Sequence, residues 1–219
     1  RAELGVRSRS ELAARFSREP ALQLSRGAFT PDNGAPLFGS IGDSAPDTWG
    51  KQLMQRAERK AADREGRRVR TLQDVDYLLG VSDVSRLGAL RFRLEEGGPF
   101  LSERGQGVPG TLELGRLLGI TERIARDEET EDDLQMIFAP GSSLGGARPK
   151  ASIIDQNGRL SIAKFPKETD GYSVETWEAV ALDLAAQAGI TAAGHDLVVA
   201  GGKPVLISHR FSSVRRADR

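Results

Sequence analysis

The sequence predicts an α+β fold in two parts: a mainly helical amino-terminal subdomain with a small sheet over residues 1–139, then an antiparallel sheet with one packed helix over 140–219. Three observations predict it. Between Asp43 and Ala139, stretches with capping residues and helical apolar spacing follow one another. After Pro140, short β-type runs return on themselves across turn residues, as in ASIIDQNGRLSIAKF. One helix-patterned stretch, Val174 to Gly189, separates two such hairpins.

Length and charge narrow the function. A chain of 219 residues can bury a sizeable core, as one domain or two. Lysine plus arginine equals aspartate plus glutamate at 31 each, so no net field draws the chain to nucleic acid or an acidic membrane. The absence of cysteine removes disulfides, thiolate catalysis and sulfur metal sites together. No apolar run approaches the roughly 18 residues of a membrane span. The opening RAELGVRSRSELAARF lacks the apolar core of a secretory signal, so the predicted location is cytoplasmic. His195 and His209 do not stand at spacings that pair with carboxylates, and no metal site is predicted.

In chain order, residues 1–45 are broken by Gly, Pro and Ser, and only Ser8 to Phe16 has helical spacing. Asp43 to Gly66 reads as a helix that Asp47 can cap and Gly66 can close, with Trp49, Leu53 and Met54 on one docking face. Thr71 to Gly80 reads as a second, with Thr71 and Asp74 at capping-box-like spacing. The alternation in Gly88 to Leu101, turning at Gly97 and Gly98, predicts a strand or short hairpin. Helices are expected over Thr111 to Glu128 and Thr130 to Ala139, each opened by a threonine. Past Pro140 come strands over Ala151 to Asp155 and Leu160 to Phe165, then the Val174 to Gly189 helix with its apolar set Val180, Leu182, Leu184 and Ala185. Asp196 to Ala200 and Pro204 to Phe211 form the last hairpin.

The chemistry concentrates between Gly141 and Glu178. Gly141, Gly145 and Gly146, with small Ser142, Ser143 and Ala147, make a loop whose backbone N–H groups can approach phosphate oxygens without a side chain in the way. It is neither a Walker A loop, since Ala147 stands where a lysine would follow the second glycine, nor a GxGxxG motif. Lys164 lies in an otherwise apolar strand, where a buried ammonium needs an anionic partner. Glu178 in the following helix can supply it, and Glu175 competes for that place. A lysine held by a helix glutamate while it reaches nucleotide phosphates is an arrangement that phosphoryl transfer uses. The bland alternative has Lys164 as an edge-strand lysine in water and Glu178 as a surface residue. Lys150 and Arg148 are further cations near the loop that could touch phosphate or be plain surface charge.

The segments GSSLGGARPK, IAKFP, WEAVALDLAAQAGI and VLISHRF resemble the HipA family of toxin serine/threonine kinases, and FGSIGDSAPDTWGKQLM with DYLLGVSDVSRLGALRF resembles that family's amino-terminal subdomain. The resemblance runs from about residue 20 onward. It implies that residues 140–219 form a protein-kinase-like small lobe that binds ATP with Mg2+. Gly145, Gly146, Ala147, Arg148, Pro149 and Lys150 would then be the ATP-phosphate loop, Lys164 the strand lysine and Glu178 its partner. Ser143 matches the serine such kinases autophosphorylate, with Ser142 as an alternative acceptor. A phosphate of charge near −2 placed there would repel nucleotide phosphates and could expel the loop. His209, Arg210 and Phe211 fall where the family's adenine-contacting hinge lies, although Ser212 replaces the usual aspartate after that Arg-Phe pair.

The same resemblance places the acid that positions the substrate hydroxyl, and the Mg2+ ligands, in a carboxy-terminal helical lobe that has no counterpart before Arg219. The expectation is therefore the ATP-binding portion of a HipA-like type II toxin–antitoxin kinase, inactive alone, phosphorylating an unidentified protein and partnered by a DNA-binding antitoxin of the HipB type. No membrane partner is expected, and nucleic acid only through the antitoxin. A rival from another class is a truncated, non-catalytic module that engages an antitoxin or partner subunit. A third, an unrelated ligase or transferase with a glycine loop, would not need Lys164 for nucleotide binding.

Overall fold

The computed structural model describes residues 31, 34–83, 86, 90–95, 97–101, 108–141 and 143–210. The helical expectation over Ser8 to Phe16, and those on Ser142, Phe211 and Ser212, lie outside the described residues. The chain is α+β: helices α1 (Gly39–Gly42), α2 (Thr48–Glu65), α3 (Asp74–Gly80), α4 (Leu114–Ala125) and α5 (Glu131–Gly141), then strands β1 (Lys150–Ile154) and β2 (Leu160–Lys164), helix α6 (Val174–Gln187), and strands β3 (His195–Ala200) and β4 (Lys203–His209). No helix of the described residues is long and apolar enough to cross a membrane.

Local chemistry accounts for most element ends. Asp47 caps α2 by accepting the Thr48 N–H at 2.8 Å, and Gly66, at φ +61°, closes it. Thr130 and Asp133 bond reciprocally at the start of α5, each side chain accepting the other's backbone N–H at 3.1 and 3.0 Å. The start of α3 differs from expectation. Its cap is Gln73, whose N–H donates to Asp76 at 2.8 Å, because Thr71 stands three residues ahead of the first helical turn.

The alternation over Gly88 to Leu101 does not produce strands in the described residues, and no described residue before β1 lies in a strand, although Gly110 forms an isolated bridge to Ile154. The Gly98 N–H donates to the Glu95 carbonyl at 3.1 Å, and the Leu101 N–H reaches the Phe92 carbonyl at 2.7 Å. Side chains hold the segment instead of a ladder: Arg91 lies 3.5 Å over the Phe100 ring and pairs with buried Asp83, and Arg86 lies 4.9 Å over Phe92. Arg86, itself buried, donates to the carbonyls of Leu78, Val81 and Ser44, which takes up acceptors at the end of α3.

The sheet is antiparallel throughout, in the order β1-β2-β4-β3. The β1–β2 turn is Asp155 to Arg159, with the Asp155 carboxylate accepting the N–H groups of Asn157 and Arg159 at 2.8 and 2.9 Å. The pleat sorts side chains onto two faces. One carries Ala151, Ile153, Ala163, Phe165, Val205 and Ile207, which form one buried cluster with Trp49 and Leu53 of α2, Leu117, Ile120 and Ile124 of α4, and Ile137 of α5. The other carries Lys150, Ser152, Ile162, Lys164, Leu206 and Leu197. Helix α6 packs against β3 and β4. The expected apolar set of α6 is only partly inward: Ala179 is buried and Leu182 and Ala185 half-buried, while Val180, Leu184 and Trp177 are exposed.

Candidate functional site

The loop between α5 and β1 is built by what flanks it. Gly141, the last residue of α5, lies so close to α2 that a Cβ there would stand 2.7 Å from Leu53 Cδ1, which draws the loop's start onto the core. Ser143 and Leu144 follow, both buried. Gly146 takes φ +83°, and a Cβ on it would stand 2.7 Å from Lys150 Nζ. Only glycine gives the loop this backbone while letting the lysine fold against it. The Lys150 ammonium donates to the Gly145 carbonyl. At the loop's end the Phe165 N–H donates to the Pro149 carbonyl at 3.0 Å, carrying the β1–β2 pairing one step further.

Strand register then places two cations together. Lys150 of β1 and Lys164 of β2 are direct cross-strand partners, and residues so paired share a face with Cβ atoms about 5 Å apart. Lys164 donates to Glu178 of α6, the partner expected for it. Burial first, and the neighbouring Lys164 ammonium second, lower the pKa of Lys150.

Glu175 does not compete for Lys164. It is buried, and its Oε1 accepts from Arg148 Nη2 at 2.9 Å, while Asp170 accepts from Arg148 Nη1 at 2.9 Å. The Asp170 carboxylate also accepts the Lys167 N–H at 2.8 Å. The hydrogen bond from Arg148 holds the Asp170 pKa down at about 2, and the same bond raises that of Arg148. Arg148 thus ties the loop to the segment leading into α6. Its guanidinium is committed to two carboxylates, where sequence had left it as a cation able to touch phosphate.

His209 stands apart from the lysines. By register it lies on the face of the sheet opposite Lys164, its imidazole pairing with Asp196 at 2.9 Å. The structure does not bring that side chain to the lysine pair. Arg210 follows β4, and Phe211 lies outside the described residues. Among the described residues no three His, Cys, Asp or Glu side chains form a group that could hold a metal ion.

Residues 142–219 match the family model for a HipA-like C-terminal domain. The match takes in the loop from Ser143, both hairpins and α6, the part of the chain that carries the lysine pair. No curated protein and no solved structure matches the chain.

Sequence reasoning missed three contributors to this site. Asp47 and Trp49 had visible local roles, as a helix cap and an apolar docking residue, yet both also bond the glycine loop about a hundred residues away. Asp170 was missed as well. Its only signal was its place in a polar stretch before a helix, which does not distinguish it from a turn residue.

Proposed function

We propose that this protein binds ATP at the lysine-lined end of its sheet, as the nucleotide-binding part of a HipA-like serine/threonine protein kinase. The observation that carries the reading is the juxtaposition of Lys150 and Lys164 beside the glycine loop, with Glu178 engaging Lys164. Like charges directly opposite each other in a sheet cost stability, and one carboxylate does not neutralise two ammonium groups. A polyanion at this place does. Glu178 orients Lys164, Lys150 moves from the Gly145 carbonyl to a phosphate oxygen, and the glycines let phosphate approach the backbone.

ATP supplies the phosphoryl group in such a reaction, and the acceptor is a serine or threonine hydroxyl of a protein. The described residues fit the phosphate-binding half of the site. They offer no cluster of carboxylates or histidines that fits Mg2+. Ser143 is the proposed site of autophosphorylation. It is 3% exposed here, so its modification requires the loop to leave its place, and the phosphate, once added, would oppose return to a surface shared with nucleotide phosphates. On the sequence resemblance we further propose a protein target and a DNA-binding antitoxin of the HipB type as partners.

The test is calorimetric titration of ATP, with and without Mg2+, into the full-length natural protein and its Lys164→Ala variant, followed by mass analysis of Ser143 after incubation with Mg-ATP. The expected result is binding by the wild type, weakened at least tenfold in the variant, and added phosphate that the variant fails to acquire. Absence of ATP binding by the folded wild-type protein overturns the reading. Binding that does not depend on Lys164 moves it to the class of unrelated ligases or transferases.

A further inference from the structure

The glycine loop is gripped by the start of α2. The Gly146 N–H donates to Asp47 Oδ2 at 2.8 Å, and the Gly146 carbonyl accepts the Trp49 N–H at 2.9 Å. The Trp49 indole Nε1–H donates to the Lys150 carbonyl at 2.8 Å. Both backbone polar groups of Gly146, and the carbonyl of the residue that ends the loop, are therefore held by two residues of one helix start. These two residues are themselves anchored. Asp47 Oδ1 accepts the Thr48 N–H as helix cap, and Trp49 is buried in the core cluster with Ala151 and Ile153.

A loop with Gly145 and Gly146 has unusual backbone freedom to lose when it closes on a ligand. Restraining it beforehand removes part of that loss from the binding step. Geometry also favours restraint over obstruction. Trp49 reaches the loop from the core side of the sheet, whereas the ammonium groups of Lys150 and Lys164 belong to the opposite face.

Building on the nucleotide reading above, we propose that Asp47 and Trp49 are positioning residues, which act through the backbone of Gly146 and Lys150 to keep the loop in the shape that accepts phosphate. The amino-terminal subdomain is on this account a working part of the nucleotide site. Asp47 acts as a hydrogen-bond acceptor here, not as a charge. That distinction makes the proposal testable, because a carboxylate beside a phosphate site could instead act as an internal competitor.

Three substitutions separate the roles. Asp47→Ser keeps a helix-capping oxygen but is too short to reach Gly146; Asp47→Asn keeps one acceptor oxygen, which can serve the Gly146 N–H at the expense of the Thr48 N–H, and loses the charge; Trp49→Phe keeps an apolar ring and loses the indole N–H. ATP affinity is measured by calorimetry on the full-length protein, and amide hydrogen exchange over residues 145–150 is measured without nucleotide. Asp47→Ser and Trp49→Phe are expected to weaken ATP five- to fiftyfold and to accelerate exchange at Gly146. Asp47→Asn should bind within about twofold of wild type with exchange unchanged, a rescue that a general loss of stability would not give.

Severalfold tighter binding by Asp47→Asn would overturn the proposal in favour of a competing carboxylate. Wild-type affinity in Asp47→Ser would overturn it outright. If the wild type binds no ATP while exchange at Gly146 still depends on Asp47, the nucleotide reading has failed and the positioning role with it, although the grip on the loop is real. If ATP binds and depends on Lys164 but not on Asp47 or Trp49, only the positioning role has failed.

Discussion

Lys150 and Lys164 face each other across β1 and β2 in direct register, on the side of the sheet away from the main core. On the proposed nucleotide reading, each serves a bound polyanion more than the fold. Lys150→Met and Lys164→Met are therefore expected to weaken ATP binding tenfold or more, while changing unfolding free energy by less than about 1 kcal/mol, because removing either cation also relieves a like-charge contact. Calorimetry and urea denaturation on the same samples check both halves.

Gly146 shows the cost of a side chain in the loop. Gly146→Ala must hold alanine at φ +83° and displace the Lys150 ammonium from a point 2.7 Å from the new Cβ. The backbone conformation alone costs an L-residue about 1–2 kcal/mol. Expected are a lower melting temperature and at least tenfold weaker ATP binding, read by thermal denaturation and titration. An unaltered protein would show that the loop does not depend on this glycine.

The Arg148–Glu175 pair bears on stability. Glu175 is buried at 1% exposure, so Arg148→Ala strands its carboxylate, with an expected cost of about 3 kcal/mol. Adding Glu175→Gln should recover a measurable part of that loss, since a neutral amide is less costly to bury than an unpaired charge. A double-mutant cycle by urea denaturation reads the coupling, and additive effects would deny it.

Stability should fall in acid for a reason traceable to named pairs. Asp133, bonded to Arg123, and Asp170, bonded to Arg148, both have pKa values lowered to about 2 from an ordinary 3.8. A lowered folded-state pKa means that the ionised form favours the fold. That stabilisation is complete above pH of about 4 and is lost as pH falls toward 2. Each pair should contribute on the order of 1–2 kcal/mol, discounted for partly exposed arginines. Asp133→Asn and Asp170→Asn should flatten the decline in melting temperature between pH 4 and 2.

Much of this was legible in the residues. Asp47 and Gly66 mark the ends of α2, the Gln156-Asn157-Gly158 turn marks the first hairpin, and the expected Lys164–Glu178 pair forms. Where reading failed, a local pattern had two outcomes. The alternation near Phe92 is compatible with a strand, but arginine–aromatic stacking and a buried Arg86 hold that segment without a ladder in the described residues. Val180 and Leu184 belong to the expected apolar set, yet α6 turns Ala179, Leu182 and Ala185 toward the protein and leaves those two exposed.

By itself the sequence determined the α+β class, the caps and turns that end the elements, and the set of chemically useful residues around one glycine loop. These follow from short-range physics: backbone preferences of glycine, capping by short polar side chains, and apolar periodicity. Only the tertiary structure decided which cation meets which anion. Arg148 takes Asp170 and Glu175, leaving Glu178 to Lys164, and Asp47 reaches Gly146 across 99 positions of chain. Such choices rest on distances of about 3 Å between residues whose separation in sequence says nothing of their separation in space, and the shared core packed between the helices and the sheet sets those distances.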